Sequence, residues 1–129
     1  MKNVITIDGP SGAGKSTAAK RLAKKLNYKY LDTGAMYRAV IYKVLKENIN
    51  LNNYEKIIEI AQKLDINFLP LNETENTPIL IDNVDITEAI RKPKIDKNVS
   101  SIAKIKGVRK ALVKKQREMA ENEKIIMDG

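Results

Sequence analysis

Cysteine and histidine are both absent from the 129 residues. Without cysteine there is no disulfide, iron–sulfur or thiolate-zinc chemistry to consider. Without histidine, Ser-His-Asp hydrolysis and imidazole metal sites are excluded, and any proton transfer must use carboxylates, lysine or tyrosine. Aromatic residues make up only 5% of the chain, and residues 91–129 contain none. That last third therefore lacks the stacking platforms on which single-stranded nucleic acids are bound. No stretch approaches the roughly 18 apolar residues of a membrane span. The apolar run in "MKNVITIDG" is too short for a signal peptide. These absences lead us to expect a cytoplasmic protein with neither a membrane nor a nucleic-acid partner.

What is present is an aliphatic chain, 43% hydrophobic, of a length that suits one domain. Its net charge of +8 is unevenly placed. Residues 91–124 hold 12 Lys/Arg against 4 Asp/Glu, whereas residues 1–90 hold 12 against 11 and are nearly neutral. A basic last third calls for an anionic partner: a nucleotide, a nucleic acid or counter-ions alone.

The front of the chain alternates strand and helix. Val4 to Ile7 is a short apolar run of the kind found in buried parallel strands. After a glycine-rich turn, "KSTAAKRLAKKLN" places Ala18, Leu22 and Leu26 on one helical face, with lysines opposite. "YKYLD" reads as a second strand ending at Asp32, and "TGAMYRAVIYKVLKEN" as a second helix. This βαβα order implies a parallel α/β sheet. The middle differs. Tyr54, Ile57, Ile58, Ala61 and Leu64 lie at helical spacing and are read as core. "INFLPL", "PILIDN" and "VDIT" follow as short strands, with Asp82-Asn83 as a tight turn. From Thr87 the pattern is helical again: a segment over about Pro93 to Ala103, then a longer helix from near Gly107 with Val108, Ala111, Leu112 and Met119 on one face. "KIIMDG" is an apolar strand opening into a turn, with Asp128 at its end. A parallel strand normally delivers its carboxyl end to a ligand crevice. We therefore expect the front part of a longer protein. Its expected divisions are a first part of the core at 1–52, an inserted region at 53–106, and a return helix and strand at 107–129.

One motif carries chemistry directly. Gly9-Pro10-Ser11-Gly12-Ala13-Gly14-Lys15-Ser16 satisfies G-x-x-x-x-G-K-[ST] at every fixed position. Glycines let backbone N–H groups curl around phosphates without Cβ clashes. A helix starting near Lys15 aims its positive dipole end at the same anion. Lys15 adds a mobile charge for the β- and γ-phosphates, and the Ser16 hydroxyl is suited to Mg²⁺. The motif predicts nucleoside triphosphate binding over Gly9 to Thr17 and leaves the acceptor open. "LDTGAMYRA" narrows it: a Thr-Gly at a helix start offers a hydroxyl and free N–H groups, and Arg38 can hold a phosphate bidentately. A capped helix with a surface arginine would look the same locally.

"ITIDGPSGAGKST" and "YLDTGAMYR" together, with "ITEAIR", "VSSIAKIKGVRKALVKKQREM" and "IIMDG", resemble bacterial cytidylate kinases along the whole chain, over the front part of that family's length. The resemblance implies a P-loop nucleoside monophosphate kinase core: a helix-flanked parallel sheet carrying a small antiparallel insert and helices that bind the monophosphate. It implies transfer of the γ-phosphoryl group of ATP to CMP or dCMP with Mg²⁺, in a parent protein expected to be a monomer. Carried over by position, Gly9 to Thr17 hold ATP, with Lys15 and Arg38 as the catalytic cations and Ser16 as metal ligand. Thr33 faces the acceptor, Arg38 grips its phosphate with Tyr37 beside it, and Ser101 and Arg109 read the cytosine edge. Arg91 and Lys104 stay open between binding and solvation. Asp128 stays open between assisting Mg²⁺ through water and capping a turn. The family's following Arg-Asp pair and its lid arginines have no counterpart among these residues. Arginines of that kind are worth about 10³–10⁵ in rate, so this chain alone is expected to bind phosphates and catalyse poorly. The competing readings are a P-loop kinase for AMP, UMP or shikimate, a basic nucleic-acid-binding module, and a non-catalytic domain of a fusion.

Overall fold

The computed structural model describes residues 4–7, 15–70 and 77–128. Three parallel strands form the first sheet: β1 (Val4–Ile7), β2 (Lys29–Leu31) and, from the end of the chain, β6 (Ile125–Asp128). Their order is β1-β6-β2, so the last strand is the central one. Ile125 pairs with both Val4 and Lys29, and Asp128 pairs with Ile7. Consecutive residues of a strand face opposite sides, which explains the two apolar clusters. Tyr30 and Ile126 pack with Ala19 and Ala23 of α1 (Lys15–Leu26). Leu31 and Ile125 join the larger cluster on the other face. Helices therefore cover both faces, as the near-continuous apolar strands require.

The buried stripe of α1 differs from the expected one. Ala18 and Leu26 are exposed and Leu22 is only half-buried, while Ala19 and Ala23 are fully buried. Alanines four residues apart let the helix backbone lie close on Tyr30 and Ile126, and Leu22 packs at the margin of that contact. Tyr54 is likewise exposed rather than core, because it opens α3 (Tyr54–Lys63) ahead of the residues that turn inward, Ile57, Ile60 and Ala61.

α2 (Thr33–Lys46) runs through the larger cluster and buries Ala35, Met36, Ala39, Val40, Ile41 and Val44. Beyond α3, the strands β3 (Ile66–Phe68), β4 (Ile79–Ile81) and β5 (Val84–Asp85) form a small antiparallel sheet, with Ile66 opposite Ile81 and Phe68 opposite Ile79. The β4–β5 turn has Asp82 and Asn83 at φ 48° and 66°. Two successive left-handed residues give the turn whose twist matches a two-residue hairpin, and Asp and Asn tolerate that conformation best among non-glycines.

The helical return is broken into pieces. A 3-10 turn at Ala89–Arg91 leads to α4 (Pro93–Asp96), α5 (Val99–Ala103) and α6 (Lys106–Asn122). The expected single segment over Pro93 to Ala103 is thus two short helices. Lys97 caps the first through its N–H to Pro93 and Ile95, and Asn98 starts the second. α6 packs on α3, where Gly107 meets Ile58 and the Lys115 ammonium donates to the Gln62 carbonyl at 3.0 Å.

Candidate functional site

All three parallel strands end at the same edge of the sheet, and two helices begin there. α1 starts at Lys15, after the carboxyl end of β1, and α2 starts at Thr33, directly after β2. This is the edge at which open α/β sheets bind ligands. Gly9, Pro10, Ser11, Gly12, Ala13 and Gly14 lie outside the described residues. Lys15, Ser16 and Thr17 form the first turn of the 12-residue α1. A helix start following a parallel strand is the framework that the glycine motif requires.

The start of α2 is held in place by Asp32. Its carboxylate accepts from the Ala35 N–H at 3.0 Å, satisfying one of the helix's unpaired amides. The second oxygen lies 3.5 Å from the hydroxyl of the fully buried Thr77 and 3.6 Å from a terminal guanidinium nitrogen of Arg91. A carboxylate here does three jobs: it caps α2, anchors the antiparallel insert through Thr77, and pairs with Arg91. The Nε of Arg91 is buried without a hydrogen-bond partner.

Thr33 is the first residue of α2, and Tyr37 follows one turn later on the same side, packed against the main core. Arg38 reaches across to the 3-10 turn and α4. Its Nη1 donates to the Ile90 carbonyl at 3.2 Å and to the Asp96 carboxylate. Arg109, on the first turn of α6, donates from Nη1 to the Ala103 carbonyl at 2.9 Å. Burial raises the Tyr37 phenol above its ordinary value of 10.0, and the positive charge of Arg109 opposes that shift. This places Arg109 within electrostatic reach of Tyr37.

Tyr37 and Arg109 are therefore brought within reach of one another from two distant parts of the chain, and Thr33 and Arg38 share the first turns of α2 with Tyr37. Ser100 and Ser101 are both exposed on α5, turned away from Val99 and Ile102, which pack inward. Ala103, the last residue of that helix, offers its carbonyl to Arg109.

Three features escaped the sequence: Asp96 as the partner of Arg38, the Arg91–Asp32 pair, and the burial of Thr77. The first two join residues more than 50 positions apart, beyond any local spacing rule. Among the described residues no group of three or more Asp, Glu, His or Cys is arranged to hold a metal ion. No helix among them is long and apolar enough to cross a membrane.

Comparisons with known proteins bear on the family. A family model described as cytidylate kinase matches residues 5–129. The cytidylate kinase of Caldanaerobacter subterraneus subsp. tengcongensis is 51% identical over 125 residues, 97% of this chain and 53% of the relative. That of Desulforamulus reducens is 52% identical over 125 residues, covering 97% and 55%. That of Alkaliphilus oremlandii is 54% identical over 125 residues, with the same 97% and 55%. The chain spans about half the length of the curated relatives it matches. With the family model covering all but its first four residues, the chain belongs to the cytidylate kinase family.

Proposed function

We propose that this chain supplies the triphosphate loop and much of the acceptor pocket of an enzyme that moves the γ-phosphoryl group of ATP onto CMP or dCMP. The observation that carries the reading is the placement of Thr33, Tyr37 and Arg38 on the first turns of α2, which begins at the edge where α1 begins, with Arg109 within electrostatic reach of Tyr37. Phosphoryl transfer asks little covalent chemistry of a protein and much positioning and charge neutralisation. The residues divide accordingly. Gly9 to Thr17 cradle the triphosphate, with Lys15 as the cation on its outer phosphates. Arg38 binds the acceptor monophosphate, a dianion that its planar fork can take bidentately. Thr33 offers a hydroxyl beside the acceptor, and Tyr37 forms the wall of that pocket in its neutral, phenolic form. Arg109, with a serine of α5, reads the base edge. Ser101 is the serine expected from the sequence, and Ser100, exposed beside it on the same helix, is the second candidate.

The donor chemistry fits Mg²⁺. The chain offers a hard hydroxyl oxygen at Ser16 and, among the described residues, no cluster of carboxylates. Mg²⁺ is commonly held by few protein ligands together with substrate phosphates. When bound, it would neutralise charge on the transferring phosphate. The proposed three-part division, with core at 1–52 and 107–129 and acceptor region at 53–106, follows the same logic.

Calorimetric titration tests the reading. CMP should bind more tightly than UMP, AMP or unphosphorylated cytidine, and ATP with Mg²⁺ should bind independently of CMP. ATP binding without discrimination among the monophosphates would leave the loop assignment standing and reject the acceptor assignment.

A further inference from the structure

We infer that Asp96 is a positioning residue for Arg38: by holding Nη1 it aims the other edge of the guanidinium, Nε and Nη2, at the acceptor phosphate. The inference rests on the acceptor-site reading above and adds a residue to it.

The geometry supplies the argument. Arg38 makes two contacts, to the Ile90 carbonyl and the Asp96 carboxylate, and both engage the same nitrogen, Nη1. Among the described residues none falls on Nε or Nη2. Those two nitrogens form the lateral fork of a guanidinium, the edge that matches two oxygens of a phosphate. The two acceptors come from the 3-10 turn and from the last residue of α4, so the arginine is tied to a different part of the chain from its own helix. Arg38 is three-quarters buried, with 24% of its side chain exposed, whereas Asp96 is 53% exposed. With only four residues, α4 has too small a dipole to place a carboxylate, and the contact that Asp96 does make is with Arg38.

A second pair runs the other way. Arg91, adjoining Ile90, pairs with Asp32, which caps the helix that carries Arg38. Each side lends an arginine to a carboxylate of the other. The double clamp fixes the phosphate-binding side chain relative to α4 and, through it, to the serines of α5. An arginine held at one nitrogen retains little of its rotamer freedom, so less entropy is lost when phosphate arrives.

Asparagine and alanine separate positioning from plain charge. Asp96→Asn keeps an oxygen that can accept from Nη1 and removes a negative charge near the incoming dianion. Asp96→Ala removes the acceptor altogether. CMP and cytidine are titrated calorimetrically into the wild type, Asp96→Asn, Asp96→Ala and Arg38→Ala, with thermal unfolding as a check on folding. Positioning predicts that Asp96→Asn binds CMP at least as tightly as wild type, that Asp96→Ala binds it about threefold to tenfold more weakly, and that cytidine is indifferent to both. If both variants bind CMP more tightly, Asp96 merely competes with phosphate and the inference is overturned. Equal weakening by both overturns it as well. If wild type fails to prefer CMP over cytidine, or Arg38→Ala leaves that preference intact, the acceptor-site reading itself fails and takes this inference with it.

Discussion

Replacing Gly107 by alanine should destabilise the protein even though alanine is the better helix former. A Cβ at this position would lie 2.5 Å from Cδ1, 2.8 Å from Cγ1 and 3.1 Å from Cγ2 of Ile58. All three atoms belong to one β-branched side chain, which a helix restricts to essentially one χ1 rotamer. Rotating Cδ1 away leaves the Cγ1 contact unrelieved, so α3 and α6 must separate. Overpacking of this kind costs about 1–3 kcal/mol, while the helix-propensity gain is at most about 1 kcal/mol and smaller near a helix start. The expected net loss is about 1 kcal/mol, or a fall in Tm of roughly 3–6 °C for a chain of this size. Thermal unfolding of Gly107→Ala, Ile58→Ala and the double variant, followed by circular dichroism, measures it. The new methyl should be tolerated once Ile58 is truncated, so the two changes should couple by about 1 kcal/mol. A single variant that melts at or above the wild type would refute the steric argument. So would additive effects in the double variant.

Three further outcomes are expected. Asp32→Ala removes the cap of α2 and the counter-charge of Arg91 together, and should cost about 1–3 kcal/mol in denaturant unfolding; an unchanged midpoint would show that neither contact matters. The Tyr37 phenol titrates above 10.0 because it is buried, so its contribution to stability is full below pH 10 and is lost as pH rises through the folded value. Replacing Arg109 by glutamine should push that titration higher still, as read by phenolate absorbance, and a downward shift would contradict their proximity. The Asp85 carboxyl is held below 3.8 by the Thr87 hydroxyl at 2.6 Å and the Thr87 amide at 2.9 Å. Thr87→Val should therefore move its NMR titration up toward 3.8, with stability from this group lost at higher pH on acidification than in the wild type.

Local chemistry was legible in the sequence, and long-range pairing was not. The strand at Val4 to Ile7, the helix from Lys15, and the Asp82-Asn83 turn follow from apolar runs and turn residues, and the structure has them in place. In α1 the expected Leu22 packs on the sheet cluster, but Ala18 and Leu26 are exposed, and Ala19 and Ala23 take the fully buried positions. The break at Lys97 and Asn98 carries no proline or glycine to announce it. Thr33 and Arg38 stand out in the local pattern of "LDTGAMYRA", whereas Arg109 is named only by resemblance to a family, since no spacing rule joins α2 to α6. Asp96 escaped altogether because, in a stretch so rich in lysine, a lone exposed carboxylate reads as solvated.

The central position of β6 has a consequence for how the chain is made. Among the described residues β1 and β2 bond to β6 and not to one another, so neither has that partner until residues 125–128 have been synthesised. At ordinary translation speeds the 94 residues from Leu31 to Ile125 take roughly 5–20 s to emerge. During that interval α2, α3 and the antiparallel hairpins can gather around their local contacts, while two apolar strands wait with open edges. Nascent chains of this protein should therefore be most exposed to misassociation, and most dependent on chaperones, just before β6 inserts.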